Sequence, residues 1–130
     1  MPEIVESELS YKIMGILFSV HNQLGNRYQE KYYQRAIGEG LKEQGIRYKK
    51  EILVNLMFNK VKIGKYFLDF LIEEKIILEI KTVENLKPKD FKQVLAYLTS
   101  KNIQLGILAN FRSDRLTYKR ILNSKYIRKN

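Results

Sequence analysis

Apolar residues recur at helical spacing over the first part of the chain, which indicates a helical N-terminal region. The first apolar stripe consists of Leu9, Ile13, Ile16, Leu17, Val20 and Leu24. This spacing predicts an amphipathic helix from about residue 4 to residue 23. Gly25 and Asn26 interrupt the pattern. A second helix is then predicted from about residue 28 to residue 44, where Gly45 ends it.

The hydrophobic pattern changes from helical to alternating after Gly45, which indicates β-strands. Three segments, YKKEILVNLMF, KIGKYFLDFLI and KIILEIKT, are rich in β-branched and aromatic residues. The short polar sequences NK and EEK lie between them and are candidate turns. Residues 46–82 are therefore predicted to form three strands joined by hairpins.

The remaining pattern predicts a helix, a buried strand and a C-terminal helix. Pro88 suits the first turn of a helix, predicted over residues 88–100. Its apolar face is formed by Phe91, Val94, Leu95 and Leu98. The continuous apolarity of IQLGILANF is typical of a parallel strand. The last segment, RLTYKRILNSKYIRKN, is predicted to be helical at first and then basic and frayed.

The predicted order of elements is therefore ααβββαβα. Helices pack on the faces of a sheet because each element has one apolar side to bury. This order predicts an α/β (α+β) fold with a mixed central sheet of about four strands flanked by helices. The length of 130 residues is typical of one domain, so residues 1–130 are expected to form a single unit.

Composition narrows the class of protein. The net charge is +10 and the pI is about 9.7, and such a field attracts polyanions, of which nucleic acid is the commonest. The alternative is that lysine only solubilises the surface. The chain has no cysteine, which excludes disulfides and thiolate metal sites.

Location is predicted from what the sequence lacks. The longest apolar run, residues 13–20, is too short to span a bilayer. Glu3, Glu6 and Glu8 lie where a signal peptide would be basic. We therefore expect a cytoplasmic protein with no membrane partner.

Two charges stand inside the apolar segment ILEIKT. Glu79 and Lys81 point to one side of the predicted strand, and Asp69 stands among apolar residues in the preceding one. A hairpin can bring these three residues together. Either Lys81 pairs with a carboxylate at a sheet edge, or the two carboxylates hold a divalent cation with the lysine beside it. Mg²⁺ is commonly bound through one or two carboxylates, so both explanations stay open.

Other polar residues fall on or beside apolar stripes. Glu30 lies on the stripe of the second helix, where it either joins the cation site or pairs with the helix dipole. Gln93 and Tyr97 are four residues apart beside the Phe91–Leu98 stripe and could orient a phosphate or water, or be an ordinary polar flank. His21, the one histidine, falls at the border of the first helix's stripe and is an outer candidate.

The set resembles the PD-(D/E)XK nuclease superfamily. Asp69 takes the place of the first acid of the motif, and Glu79, Ile80 and Lys81 take the place of its second half. The segment QVLAY, residues 93–97, is similar to the QxxxY element of the exonuclease-type branch.

More closely, the chain resembles the small GxxExxY proteins from about Leu9 to Asn123. The segment HNQLGNRYQEKYYQRAI is similar to their signature, with Glu30 and Tyr33 at its Glu and Tyr. Arg27 replaces the glycine of that signature, which affects the local turn but removes no ligand.

The resemblance implies a restriction-endonuclease-like core and metal-dependent hydrolysis of phosphodiesters. It implies that Asp69, Glu79, Glu30 and the Ile80 carbonyl surround one or two Mg²⁺ or Mn²⁺ ions. Lys81 would position the attacking water, help to deprotonate it, or offset charge on the pentacoordinate phosphorus. Residues 93–97 would supply the two groups, Gln93 and Tyr97, that hold nucleophile or substrate.

The expected substrate is nucleic acid, DNA in preference to RNA. The cations expected to contact phosphates are Arg27, Lys31, Lys87, Lys89, Lys92, Arg112, Arg115, Lys119 and Arg120. A small catalytic core leaves room for a homodimer or a protein partner that adds specificity. The competing hypotheses are a non-cleaving binding module on the same fold and a lysine-rich scaffold domain that only oligomerises.

Overall fold

The structure, a computed structural model, describes residues 4–128. This part of the chain contains three helices and five strands. The helices are α1 (Ser7–Leu24), α2 (Glu30–Glu43) and α3 (Pro88–Lys101). The strands are β1 (Tyr48–Phe58), β2 (Val61–Ile72), β3 (Ile76–Lys81), β4 (Leu105–Asn110) and β5 (Thr117–Leu122). The first three of the four predicted helices and all four predicted strands are therefore confirmed.

The strands form one mixed sheet in the order β1-β2-β3-β4-β5. β3 and β4 are parallel, with α3 as the crossover between them, and the other neighbouring pairs are antiparallel. The parallel pairing of IQLGILANF agrees with its continuous apolarity. This architecture is the restriction-endonuclease-like α/β fold that was expected, with five strands instead of about four.

The C-terminal helix predicted from residue 115 is wrong. Residues 117–122 form β5, which pairs with β4 from Thr117 opposite Asn110 to Leu122 opposite Leu105. Only Ile121 of this strand is buried, so its sequence carries almost no apolar periodicity. Pairing with the otherwise open edge of β4 decides its conformation, which a local pattern cannot reveal. Residues 129 and 130 of the predicted frayed tail lie outside the described residues.

The sheet has an apolar cluster on each face. Buried side chains of α1 and α2 pack against Phe70, Ile72, Leu78 and Ile80 on one face. Those of α3 pack against Leu71 and Ile77 on the other. α3 approaches β4 so closely at Gly106 that an added Cβ would meet a methyl group of Val94 at 2.6 Å. The two layers of helices thus hold β3 and β4 at the centre of the molecule.

The β1–β2 hairpin extends beyond the rest of the sheet. β1 and β2 pair along almost their whole length, but over the described residues β2 pairs with β3 only at residues 70–72. The side chains also change faces along the hairpin, since Phe70 packs with α1 and α2 whereas Leu68 packs with α3. The change occurs at Asp69, opposite Glu51, whose φ of 54° is left-handed. Residues 53–67, here called the arm, lie beyond this point.

Among residues 4–128, no helix is long and apolar enough to cross a bilayer. The longest helix is α1, which has a mixed apolar and polar surface.

Candidate active site

Three loops meet at the carboxyl ends of the parallel strands β3 and β4. Asn110, the last residue of β4, uses its side chain to hold the loop after β3, because Nδ2 donates to the Val83 carbonyl (2.7 Å) and Oδ1 accepts from the Val83 N–H (3.1 Å). Asn26, between α1 and α2, donates to the carbonyl of Arg112 (2.9 Å). The carboxyl ends of parallel strands are where α/β sheets usually bind ligands. Lys81 ends β3 at this position.

Asp69 and Glu79 connect β2 to β3 where the main-chain pairing of these strands stops. The Asp69 N–H donates to Oε1 of Glu79 (3.0 Å), and the Ile80 N–H donates to Oδ2 of Asp69 (2.7 Å). The carboxylates therefore take the place of the carbonyl acceptors of an ordinary ladder. The expectation that the hairpin brings Asp69 beside Glu79 is confirmed.

Gln34 of α2 holds the other oxygen of Asp69. Its Nε2 donates to Oδ1 of Asp69 at 2.8 Å. The sequence analysis did not single out Gln34. The available signal was its place four residues after Glu30, one turn further along the same side of α2. Asp69 is thus fixed from two directions, by β3 and by α2.

Lys81 lies between two buried carboxylates. Its Nζ is 3.7 Å from Oε2 of Glu79 and 3.8 Å from Oδ1 of Asp90, and its side chain is 23% exposed. The explanation that Lys81 pairs with an acid at a sheet edge is half right. The Glu79 pair exists, but β3 is the central strand. An ammonium held on one side by two carboxylates can face a ligand on its other side.

Asp90 is a site residue that the sequence analysis missed. It is buried in the first turn of α3, and its Oδ2 accepts from the N–H of Lys87 (2.8 Å). The signal was the segment KPKD, in which an acid follows the start of a helix by three residues, as in a capping box. One oxygen of Asp90 therefore caps the helix while the other faces Lys81.

Burial and like charges raise the pKa values of the clustered acids. Desolvation, and then the charge of Asp69, raise the pKa of Glu79 to about 9, opposed by Lys81. Desolvation also raises the pKa of Asp69, against the hydrogen bonds from Glu79 and Ile80. The pKa of Glu30 is raised by desolvation and then by Asp69. Carboxyl groups with raised pKa values favour either a proton kept on one of the acids or a cation bound beside them.

The donor chemistry of this pair fits a hard divalent cation. Asp69 and Glu79 offer four carboxylate oxygens, and Mg²⁺ often takes only one or two carboxylates. Among residues 4–128, however, no three Asp, Glu or His side chains lie close enough together to hold an ion. The expected convergence is therefore found for Asp69 and Glu79 alone. Binding by Glu30 and by the Ile80 carbonyl stays a prediction.

Tyr33 holds the loop that leads into Glu30. Its buried hydroxyl donates to the Gly25 carbonyl (2.6 Å) and accepts from the N–H of Tyr28 (3.2 Å). Gly25 has a φ of 77°, whereas Arg27 is not among the described residues with positive φ. The turn therefore forms without glycine at position 27. Tyr33 positions the start of α2, and Glu30 is its first residue.

Gln93 and Tyr97 are placed differently from each other. Tyr97 is buried in the α3-side cluster, where Leu95 was expected, and the charges that act on the pKa of its hydroxyl are Glu74 and Lys49. These two residues belong to the opposite end of the sheet from Lys81. Gln93 lies nearer the site, because its carbonyl accepts from Tyr66 (3.0 Å), whose pKa is raised by burial and by Glu79. The structure does not bring the Tyr97 hydroxyl to the carboxylates.

His21 is a packing residue within the described chain. Its Nε2 donates to the Ser113 carbonyl at 2.9 Å, and its ring packs against Phe111 at 5.7 Å between centroids. It therefore joins α1 to the loop between β4 and β5.

The predicted phosphate-binding cations are all exposed but do not form one surface. Arg27 and Arg112 line a cleft of about 480 Å³ that also contacts Thr82, the residue after Lys81. Arg120 instead lies along β5, and its guanidinium donates to the Val5 carbonyl (2.7 Å). The other predicted cations are Lys31 on α2, Lys87, Lys89 and Lys92 around the start of α3, and Arg115 and Lys119 near β5. The two arginines of the cleft are thus beside the site, and the β5 cations are not.

A second cleft reaches Asp69 from the α2 side. Its volume is about 410 Å³, and its cationic lining is Lys31, Arg35, Lys42 and Lys50. Glu51, the residue with left-handed φ, also contacts it. Asp69 is therefore accessible from solvent on this side.

Comparison with known proteins supports the fold. The crystal structure of SSO0001 is similar to this chain with a TM-score of 0.53 at 22% identity, which is a likeness of fold. The alignment covers 90% of this chain and 58% of that one, so this chain spans little more than half the length of that protein. No curated protein matches the sequence significantly. The family model of the PD-(D/E)XK nuclease superfamily matches residues 7–121. The chain belongs to the PD-(D/E)XK nuclease superfamily.

Proposed function

We propose that this protein is a divalent-metal-dependent nuclease that hydrolyses phosphodiester bonds, with DNA as its preferred substrate. The observation that carries the proposal is the partly buried constellation of Asp69 on β2 with Glu79 and Lys81 on β3. Buried charge is expensive unless a partner compensates it. A cation and a phosphate would complete this one, which supports a hydrolytic site over a scaffold.

Asp69 and Glu79 are the proposed ligands of Mg²⁺ or Mn²⁺. Glu30 and the Ile80 carbonyl are proposed to join them when the ion binds, since no third acid lies close enough among the described residues. When bound, such an ion polarises the phosphate and lowers the pKa of water. The hydrogen bonds from Gln34 and from the Ile80 N–H hold the Asp69 carboxylate in one orientation. This fixed orientation avoids reorganisation during the reaction.

We propose that the Lys81 ammonium contacts either the attacking water or a phosphate oxygen. Glu79 and Asp90 hold its ammonium, so its position does not depend on the substrate. Its positive charge offsets the negative charge that develops on the phosphate in the transition state. Gln93 is a candidate for positioning the nucleophile. Tyr97 is better explained as a packing residue of α3.

We also propose that the chain belongs to the small GxxExxY group within this superfamily. The support is the three-residue spacing of Glu30 and Tyr33, together with the hydrogen bonds by which Tyr33 holds the loop before Glu30. The QxxxY element stays a resemblance in sequence.

Incubation of plasmid, single-stranded and branched DNA with Mg²⁺ or Mn²⁺ tests the function. We expect cleavage by the wild type, and a loss of at least about a hundredfold in the variants Asp69→Asn and Lys81→Ala. Glu84→Gln and Lys75→Ala change exposed residues away from these contacts and should keep full activity.

Two outcomes would contradict the assignment. Cleavage that persists unchanged in Lys81→Ala would indicate a contaminant or another site. Salt-dependent binding of nucleic acid without cleavage under any metal would favour the non-cleaving module instead. The same cleavage assay with RNA substrates decides whether DNA or RNA is the preferred substrate.

A further inference from the structure

The arm of the β1–β2 hairpin exposes an unusual amount of apolar surface. Side chains that are about half exposed or more project from it: Leu53, Leu56, Met57, Phe58, Val61, Ile63 and Phe67. Phe58 and Val61, which face each other at the tip, are 62% and 61% exposed. Exposed apolar side chains that are concentrated on one segment in this way usually mark an interaction site. No other strand of the described chain pairs with residues 53–67.

The charge on the arm has one sign. Residues 53–67 contain Lys60, Lys62 and Lys65 and no acidic residue. The Nζ of Lys65 lies 5.8 Å from the centre of the Phe67 ring, so a cation and an exposed aromatic face occur side by side. This combination fits an anionic partner with flat apolar groups. Phosphates would meet the lysines, and bases would meet the aromatic rings.

A second copy of the chain fits the arm less well. A symmetric dimer would place the same surface of each copy together and thus bring lysines near lysines. The whole chain carries +10, which opposes such contact further. An acidic protein would satisfy the lysines, but its surface carries flat rings only here and there, whereas every nucleotide carries one.

The arm is also connected to the candidate site. It leaves the sheet at the position where Asp69 lies opposite Glu51. A strand of nucleic acid held along the arm would therefore run toward the carboxylates.

We propose that the arm is a binding element for nucleic acid with unpaired bases, in which Phe58 and Phe67 stack on bases while Lys60, Lys62 and Lys65 contact phosphates. The proposal rests on the proposed function for its choice of nucleic acid as partner. It adds a substrate class, single strands or junctions with unpaired segments, and an interaction surface remote from the site of hydrolysis.

Binding without hydrolysis provides the main test. Fluorescence anisotropy of a labelled single-stranded oligonucleotide in EDTA should give a Kd at least about thirtyfold weaker for Phe58→Ala/Phe67→Ala, since stacking contributes roughly 1–3 kcal/mol per base and two stacked bases are lost. Tyr11→Ala removes an exposed aromatic residue from α1 and should leave the Kd unchanged. A fully paired duplex should lose less affinity than the single strand.

Two further variants keep the test independent of folding. The chain contains no tryptophan, so Phe58→Trp places a single reporter at the tip. Its fluorescence should fall when the oligonucleotide is added, and that of Tyr11→Trp should not. Replacing the three arm lysines by alanine should make the negative slope of log K against log salt shallower by about 2. Replacing Lys12, Lys101 and Lys125 by alanine should change this slope less.

Several results would overturn the proposal. One is an unchanged Kd in the double alanine variant. Another is an equal fluorescence response of Phe58→Trp to polyglutamate, which would identify an acidic protein surface as the partner class. A third is a dimer, detected by sedimentation velocity, that Phe58→Ala dissociates without any change in oligonucleotide binding.

Failure of the arm can be distinguished from failure of the nuclease assignment. Wild-type cleavage with unaltered binding by arm variants would remove the arm proposal and leave the enzyme. Binding that depends on the arm residues, without cleavage under any metal, would remove the nuclease assignment and leave the arm proposal.

Discussion

Replacement of Glu79 by glutamine should stabilise the metal-free protein. Glutamine has the same shape, and its Oε1 can still accept the Asp69 N–H, which is 3.0 Å from Glu79 in the structure. The amide cannot ionise, however, and it adds no charge beside Asp69. The substitution therefore removes an electrostatic cost and keeps the contact between β2 and β3.

The expected magnitude follows from the pKa of Glu79, which is raised from its ordinary 4.5 to about 9 in the folded protein. The folded protein then holds a proton that the unfolded chain releases, so stability is lost as pH rises from 4.5 toward 9. At pH 7 this cost is at most about 3.5 kcal/mol, because each pH unit above 4.5 contributes about 1.4 kcal/mol. Loss of the Lys81 contact opposes it. We expect Glu79→Gln to be more stable by about 1–3 kcal/mol.

Urea unfolding in EDTA, followed by far-ultraviolet circular dichroism at several pH values, measures the effect. The difference between variant and wild type should grow as pH rises toward 9 and should shrink toward pH 5. Glu74→Gln is the control, because Glu74 is exposed and pairs only with Lys49 at the surface (2.8 Å). It should change the free energy of unfolding by less than about 1 kcal/mol, with no pH trend.

The reasoning about Glu79 would be refuted by a glutamine variant that is equally stable or less stable than the wild type at every pH. A constant difference between pH 5 and pH 8 would also refute it, since the effect must follow ionisation.

Three other outcomes are expected. Mn²⁺ added to the wild type at pH 7 should displace close to one proton, seen calorimetrically as a heat that varies with the buffer, and Asp69→Asn should abolish this signal. Asp90→Asn should cost about 1 kcal/mol of stability and lower kcat through Lys81; a change in stability alone would show that it only caps α3. Gly106→Ala should destabilise by about 1–3 kcal/mol because its Cβ meets a methyl group at 2.6 Å, whereas Gly15→Ala, with nothing within 4 Å, should stabilise slightly in the same melting experiment.

The elements with one buried face were predictable from sequence. The three helices differ from their predicted bounds by at most three residues, and β3 and β4 are nearly continuous apolar runs. β5 was not predictable, because it buries Ile121 alone and owes its conformation to pairing with β4. A strand without its own apolar pattern is visible only in three dimensions.

The candidate site was predictable where apolar sequence surrounds a charge. Asp69, Glu79 and Lys81 stand out in this way. Asp90 and Gln34 do not, because each lies on a helix with many other polar residues, and only the tertiary structure shows which of them faces inward.

The face change at Asp69 was also hidden. Alternation predicts that Leu68 and Phe70 share one side of β2, yet they pack in different clusters. The left-handed φ of Glu51 accompanies this change, and glutamate gives no sequence signal for such a conformation.

The two hydrogen bonds between Asp69 and β3 fasten the base of the arm to the central strand. A carboxylate replaces the main-chain pairing there. A ligand that draws the Asp69 side chain away would therefore also weaken the attachment of the arm to β3. If both proposals hold, capture of nucleic acid by the arm and capture of a cation by Asp69 would influence each other through this one residue.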